Sequence, residues 1–310
     1  ALYRVEDLHL LGSLSVGGSG PRGALDGATP VAFSPDSRTL AVGDRFGAVQ
    51  LFDAGSQQPL GEPIRTGEKV VVALAFSGDG RSLAAMSNAN NVNGAFVIDV
   101  ESREVTALDP PVPLALAATF RPDGEELIVT SGVGGGARYP IVDGRVGRGE
   151  PLTIAGALPE VPAFSPDGSL LAIGRTDGTL SFHEPTTLDQ IGGSVPVSSG
   201  IIASMRWRAD GKLITLQDIN ADNFLVDVDQ RARIGDALPG SPSGLFGVSD
   251  FAPDGLALVL PGPQGTTAWD LDVATWPAKA CAIAGRDLTS DEWETYFSSS
   301  GTQQPTCPGL

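Results

Sequence analysis

One short motif returns six times at nearly constant spacing, and this limits the architecture more than any other feature of the chain. Its copies are Phe33-Ser-Pro-Asp36, Phe76-Ser-Gly-Asp79-Gly80, Phe120-Arg-Pro-Asp123-Gly124, Phe164-Ser-Pro-Asp167-Gly168, Trp207-Arg-Ala-Asp210-Gly211 and Phe251-Ala-Pro-Asp254-Gly255. The aromatics lie 43, 44, 44, 43 and 44 residues apart. Regularity of this kind means that each repeat is one small structural unit. Such a unit cannot bury its apolar face alone and must stack on its neighbours.

Each copy reads as strand, turn, strand, turn, strand. An apolar stretch such as Val70-Val-Val-Ala-Leu-Ala-Phe76 leads into the motif. Pro-Asp-Gly then supplies the turn, because Pro fixes φ, Asp bonds nearby backbone and Gly tolerates positive φ. A second apolar stretch follows at once, as in Leu83-Ala-Ala85 or Leu170-Leu-Ala-Ile173. The third strand ends in an apolar residue followed by Asp, at Phe52-Asp53, Ile98-Asp99, Val142-Asp143, Val226-Asp227 and Trp269-Asp270, while His183-Glu184 holds that place in the fourth copy. A period of about 40–45 residues is that of a four-stranded propeller blade. Stacking blades radially buries each face against the next and leaves only short edges.

These repeats resemble the WD40 family, over residues 1 to about 274. Trp269-Asp270 is the literal WD dipeptide. The resemblance implies an all-β, WD40-type β-propeller of six or seven blades. It departs from the family in one respect. WD40 repeats usually carry a Gly-His dipeptide whose His joins a hydrogen-bond network with the Trp of the WD, and here neither His9 nor His183 follows a Gly. The expectation is that apolar packing and turn chemistry alone hold the blades.

The two ends set the blade count and the domain boundary. Residues 1–16 match the third and fourth strands of a repeat. The segment Leu10–Val16 therefore either completes the last blade and closes a six-bladed ring, or belongs to a seventh blade, the preferred reading. The chain begins at Ala1, which is expected of a processed or cut piece of a longer product. After Asp272 the repeat pattern stops. Residues 1–274 are read as the propeller and 275–310 as a helical tail packed on the last blade. Pro277 to Gly285 reads as one helix, with Pro in its first turn and Gly at its end. Thr289-Ser-Asp-Glu292 is a capping box that opens a second. Trp293, Tyr296 and Phe297 share one face of it, expected to pack onto the last blade, the alternative being a free aromatic face for a partner. This tail, from Ala280 through Tyr296 and on to Thr306-Cys-Pro308, looks like the ending of actinobacterial WD40 proteins, which often carry the propeller behind a STAND-type signalling NTPase. Cys281 and Cys307 are the only cysteines, 26 residues apart. A disulfide between them implies an oxidising compartment, and free thiols a cytosolic one. The expected location is cytoplasmic, or extracytoplasmic if the bond forms.

Charge and chemistry restrict function. The net charge of −17 opposes binding to nucleic acid and attraction to anionic lipid. No apolar run reaches the ~18 residues a membrane span needs, and no signal peptide is visible. No catalytic constellation emerges, and no cofactor or metal is expected. Cys281 has no neighbouring His in sequence to activate it. Gly132-Val-Gly-Gly-Gly-Ala137 lacks the Lys-Ser/Thr of a phosphate loop. Asp218-Ile-Asn-Ala-Asp222, with Asp229 at the twelfth position, has calcium-loop spacing, but Asn223 stands where Gly is needed, and turn chemistry is the favoured reading. The expected function is a non-catalytic protein-binding scaffold or sensor within a larger signalling protein. Its partner is a protein or another domain of the same polypeptide. The alternative is a lactonase-like propeller hydrolase with a metal in the central channel.

Overall fold

The computed structural model describes residues 2–3, 10–12, 30–67, 70–87, 94–154, 159–239, 249–262, 265–297 and 302–307. Six antiparallel sheets follow one another along the chain and form a six-bladed β-propeller. The blades run Val31–Arg65, Val71–Ala107, Ala115–Pro151, Pro159–Pro196, Ile202–Pro239 and Asp250–Asp270. Each sheet is a meander. In the fifth blade, for example, Ile202–Trp207 pairs with Leu213–Asp218, that strand with Asp222–Asp227, and that one with Ala232–Pro239. The first strands of successive blades lie side by side.

The core is a series of apolar layers, one between each pair of blades consecutive in the chain. Ala172, Leu180 and Phe182 of the fourth blade meet Ile202, Met205 and Leu216 of the fifth. Ala84, Met86 and Val97 of the second meet Phe120, Leu127 and Tyr139 of the third. Ile128 and Leu152 of the third meet Phe164, Leu171 and Ile173 of the fourth. This stacking explains why the second strands read as nearly unbroken apolar runs. Ser82–Ser87 and Glu126–Ser131 are buried at every position, because each is covered on both faces.

The repeated Asp acts locally. Asp36, Asp79 and Asp167 each accept a hydrogen bond from the hydroxyl of Ser34, Ser77 or Ser165 two residues earlier, and another from the backbone N–H two residues later. Asp123, Asp210 and Asp254 keep the second bond. The following residue has φ of +71° to +78° in five blades, where it is Gly, and +59° at Ser37. The motif is thus a turn clasp repeated once per blade, and its aromatic packs into the layer between blades. That packing is uneven: Phe120 and Phe164 are 7% and 6% exposed, whereas Val31 and Phe33 are 55% and 52% exposed.

At the N-terminal end, Leu10–Gly12 pairs with Leu2–Tyr3 in a separate two-stranded sheet. The described residues form six blades, so the preferred seven-blade reading is corrected; the sixth blade has three strands among them, and the alternative in which Leu10–Val16 supplies its fourth is not met by Leu10–Gly12, residues 13–16 lying outside those described. The tail forms two helices, α1 (Trp276–Ala284) and α2 (Ser290–Phe297). Gly285 ends α1 in the left-handed region at φ 65°. The capping box forms: Glu292 N–H donates to Thr289 Oγ1 (3.3 Å) and Thr289 N–H to Glu292 Oε2 (2.8 Å). Cys281 and Cys307 are disulfide-bonded. Closing such a loop contributes roughly 3 kcal/mol in the chain-entropy account. The expected inward stripe is corrected by the structure. Neither helix has a buried residue, and Tyr296 is 73% exposed.

Candidate interaction surface

The six aromatic–Asp motifs occupy the same position in six different blades, so they do not converge on one site. Two of them do meet at a blade junction. Ser77, Asp79 and Ser82 of the second blade and Asp123, Glu125, Pro140, Ile141, Val142 and Asp143 of the third line an open groove of about 590 Å³. Its lining combines Pro140, Ile141 and the exposed Val142 with four acidic residues. Asp123 is bridged to Arg121 (2.9 Å), and Asp79 is held by Ser77 and the Arg81 N–H. Every repeat carries such a carboxylate, and at this junction Glu125 and Asp143 lie beside two of them. The same turn geometry sets carboxylate acidity elsewhere: the Ser165 hydroxyl, then Ser169, hold Asp167 down to about 2.

A second polar arrangement was not anticipated from sequence. It occupies the WD position of the fourth blade. His183, 1% exposed, and Arg175, 2% exposed, lie beside the fully buried Ser181. His183 Nδ1 is 2.9 Å from the Leu188 carbonyl, which only accepts, so Nδ1 carries the proton and Nε2 is an acceptor. Ser181 Oγ donates to Nε2 (2.9 Å) and accepts from Arg175 Nε (2.9 Å), while an Arg175 terminal nitrogen reaches Nε2 at 3.4 Å. The expectation that apolar packing and turns alone hold the blades is therefore corrected. The fourth blade contains a closed side-chain network that needs neutral histidine. The signal in the sequence was the i, i+2 pair Ser181 and His183, which places both side chains on one face of a strand.

This network predicts a pH dependence of stability. Burial lowers the His183 pKa below its ordinary value of 6.5 and Arg175 lowers it further, although the Leu188 carbonyl opposes them. The unfolded chain thus takes up this proton at higher pH than the folded one. Stability from this site is complete above about pH 6.5 and falls as pH drops through that value toward the folded pKa. Urea midpoints at pH 7.5 and 5.5 are expected to differ in the wild type, with the loss at lower pH. In His183→Gln the difference should shrink, and an unchanged difference would remove His183 as its source.

The remaining candidates resolve into turns. Both oxygens of Asp218 are engaged: Oδ1 by the N–H groups of Asn220 and Asp222, Oδ2 by Ser198 Oγ (2.5 Å) and the Asn220 amide. That is turn bonding within the calcium-like segment. Among the described residues no three His, Cys, Asp or Glu side chains gather as metal ligands. Asp270, of the WD dipeptide, anchors the tail. It accepts bonds from Lys279, from Thr275 Oγ1 (2.5 Å) and from the Asp272 N–H, which together bring its pKa to about 2. Trp276 Nε1 donates to the Asp270 carbonyl at 3.2 Å.

A stretch of 102 residues, 33% of the chain, is 37% identical to WD repeat-containing protein SL1-17 of Schistosoma mansoni. It spans 32% of that protein's length. In shape the chain is similar to the β-propeller domain of Cps50 (Swd1) from Myceliophteria thermophila, with TM-score 0.62 and 16% identity over 79% of this chain and 84% of that one. The fold is a β-propeller. It is also similar to hydrazine synthase of Kuenenia stuttgartiensis, with TM-score 0.68 and 15% identity over 87% of this chain and 89% of that one. At such identities the likeness carries the fold and not a function. No family model matches the chain. Among the described residues no helix is long and apolar enough to cross a membrane.

Proposed function

We propose that this propeller is a non-catalytic protein-binding module, a scaffold or sensor within a larger signalling protein. The observation that carries this reading is the groove between the second and third blades, where apolar residues and four acidic residues share one open surface on stacked sheets. Such a surface suits a basic element of a protein partner, because complementary charge steers encounter and fixes register. The net charge of −17 supports the same choice and disfavours nucleic acid. The resemblance of the tail to that of propellers behind signalling NTPases supports placement in a multidomain regulator. The Cys281–Cys307 bond supports an oxidising compartment, in which the native protein resists thiol alkylation.

The test begins with partners cross-linked to the intact gene product in its own cells and then reconstituted with purified chain. Replacing Asp79 and Asp143 with Asn and Glu125 with Gln is expected to weaken binding by about tenfold, and added salt should weaken the wild type more than this variant. Equal affinity of wild type and variant at every salt concentration would refute the groove as the site. A stoichiometric divalent ion in the purified protein would favour the hydrolase alternative instead.

A further inference from the structure

The tail spends its polar groups on itself. Asp287 Oδ1 accepts from the Thr306 N–H (2.7 Å), the Thr306 hydroxyl (3.0 Å) and the Cys307 N–H (2.6 Å). Gln303 donates to the Leu288 carbonyl (2.8 Å) and accepts from the Ser290 hydroxyl (3.0 Å). Arg286 grips both oxygens of Glu292 at 2.8 and 2.9 Å. With the Cys281–Cys307 bond and the Asp270 anchor, these contacts fix the backbone of both helices relative to each other.

A segment so braced would be expected to cover its apolar surface, yet much of it stays exposed. Tyr296, Phe297, Trp276 and Ile283 are 73%, 43%, 49% and 88% exposed. Trp293 is half-buried and lies against Phe297, with ring centroids 5.4 Å apart, so it serves as the floor of the stripe. Aromatic anchors on a frame already ordered are what a binding surface needs. Large rigid rings supply contact area, and the ordering cost is met before a partner arrives.

The charges beside the stripe specify the partner. At 100° per residue, Glu294 flanks Phe297, while Glu292, on the Tyr296 side, is already bridged to Arg286, so one free carboxylate borders the stripe. Asp291 adds to the acidic first turn, and the last turn has no basic residue. We propose that the Trp293–Tyr296–Phe297 stripe of α2 is a docking site for a segment of a partner protein that places apolar residues beside a lysine or arginine. This rests on the protein-binding reading above but uses a different surface from the groove.

The test uses the full chain and, as probe, a synthetic amphipathic peptide of Leu and Lys, with its Leu and Glu counterpart as control. Titration calorimetry should show binding of the Lys peptide only. The double variant Tyr296→Ala, Phe297→Ala is expected to weaken it at least about tenfold. Asp291→Asn with Glu294→Gln should weaken it less and reduce its salt dependence, and both tail effects should persist in the groove-variant background, where a basic peptide has no acidic groove to enter. Both tail variants change exposed side chains, and unchanged far-UV circular dichroism checks their folding. No binding of the Lys peptide, or equal affinity for wild type and Tyr296→Ala, Phe297→Ala, would overturn the proposal. Loss in the groove variant with none in the tail variants would leave the protein-binding reading standing and this site rejected.

Discussion

Phe164→Ala is expected to destabilise the protein by about 3–5 kcal/mol, the usual cost of emptying a buried aromatic site. Phe164 is 6% exposed and fills the layer between the third and fourth blades with Ile128, Leu152, Leu171 and Ile173. Those neighbours belong to two different sheets paired internally by backbone hydrogen bonds, so they cannot close over the space without moving a blade. The same substitution at Phe33 supplies the internal comparison. Phe33 has the same motif position but is 52% exposed, so Phe33→Ala should cost only about 0.5 kcal/mol. Urea midpoints of the two variants, each against wild type, measure the difference. Equal shifts would show that the motif aromatic acts through its turn and not through burial. Because stacked repeats can lose cooperativity, coincidence of fluorescence and circular dichroism transitions should accompany the comparison.

Phe33 and Phe164 also mark how far the sequence alone could be read. The repeat period placed all six sheets, and Pro-Asp-Gly placed the turns, because these features are local and recur. Burial is not local. Nothing in Phe33-Ser-Pro-Asp36 distinguishes it from Phe164-Ser-Pro-Asp167, yet the blade before each differs, and only packing reveals that. The capping box at Thr289 was legible for the same local reason, while the direction of the α2 stripe was not, since it depends on what lies opposite. The groove carboxylates come from two blades, and no spacing rule joins Asp79 to Asp143. His183 was visible as a strand residue at the WD position. Its partner Arg175 sits on the neighbouring strand and becomes a partner only through the register that pairs Leu171 with His183 and Gly174 with Leu180.

Glu126 gives the second large effect, and it too depends on register. Glu126 opens the apolar second strand of the third blade, is 7% exposed, and meets Arg138 Nε at 2.5 Å. Its other oxygen, Oε2, is buried without a hydrogen-bond partner among the described residues. Arg138 also donates to the Thr186 carbonyl of the fourth blade at 2.9 Å, so one guanidinium neutralises the carboxylate and joins two blades. Removing it leaves a buried carboxylate with one oxygen already unsatisfied and the other newly so. Arg138→Ala is therefore expected to cost about 3–5 kcal/mol. Glu126→Leu in the same chain should restore most of that loss, because a buried pair is worth far less than the penalty for stranding one member. Arg138→Lys keeps the charge but has no planar fork to span Glu126 and Thr186, and should fall between wild type and Arg138→Ala. Urea midpoints for the single and double variants close a thermodynamic cycle. Additive losses from Glu126→Leu and Arg138→Ala would mean that the two side chains act independently and that the contact between them carries no energy. A double variant more stable than Arg138→Ala by at least about 1.5 kcal/mol would instead locate the penalty in the stranded carboxylate.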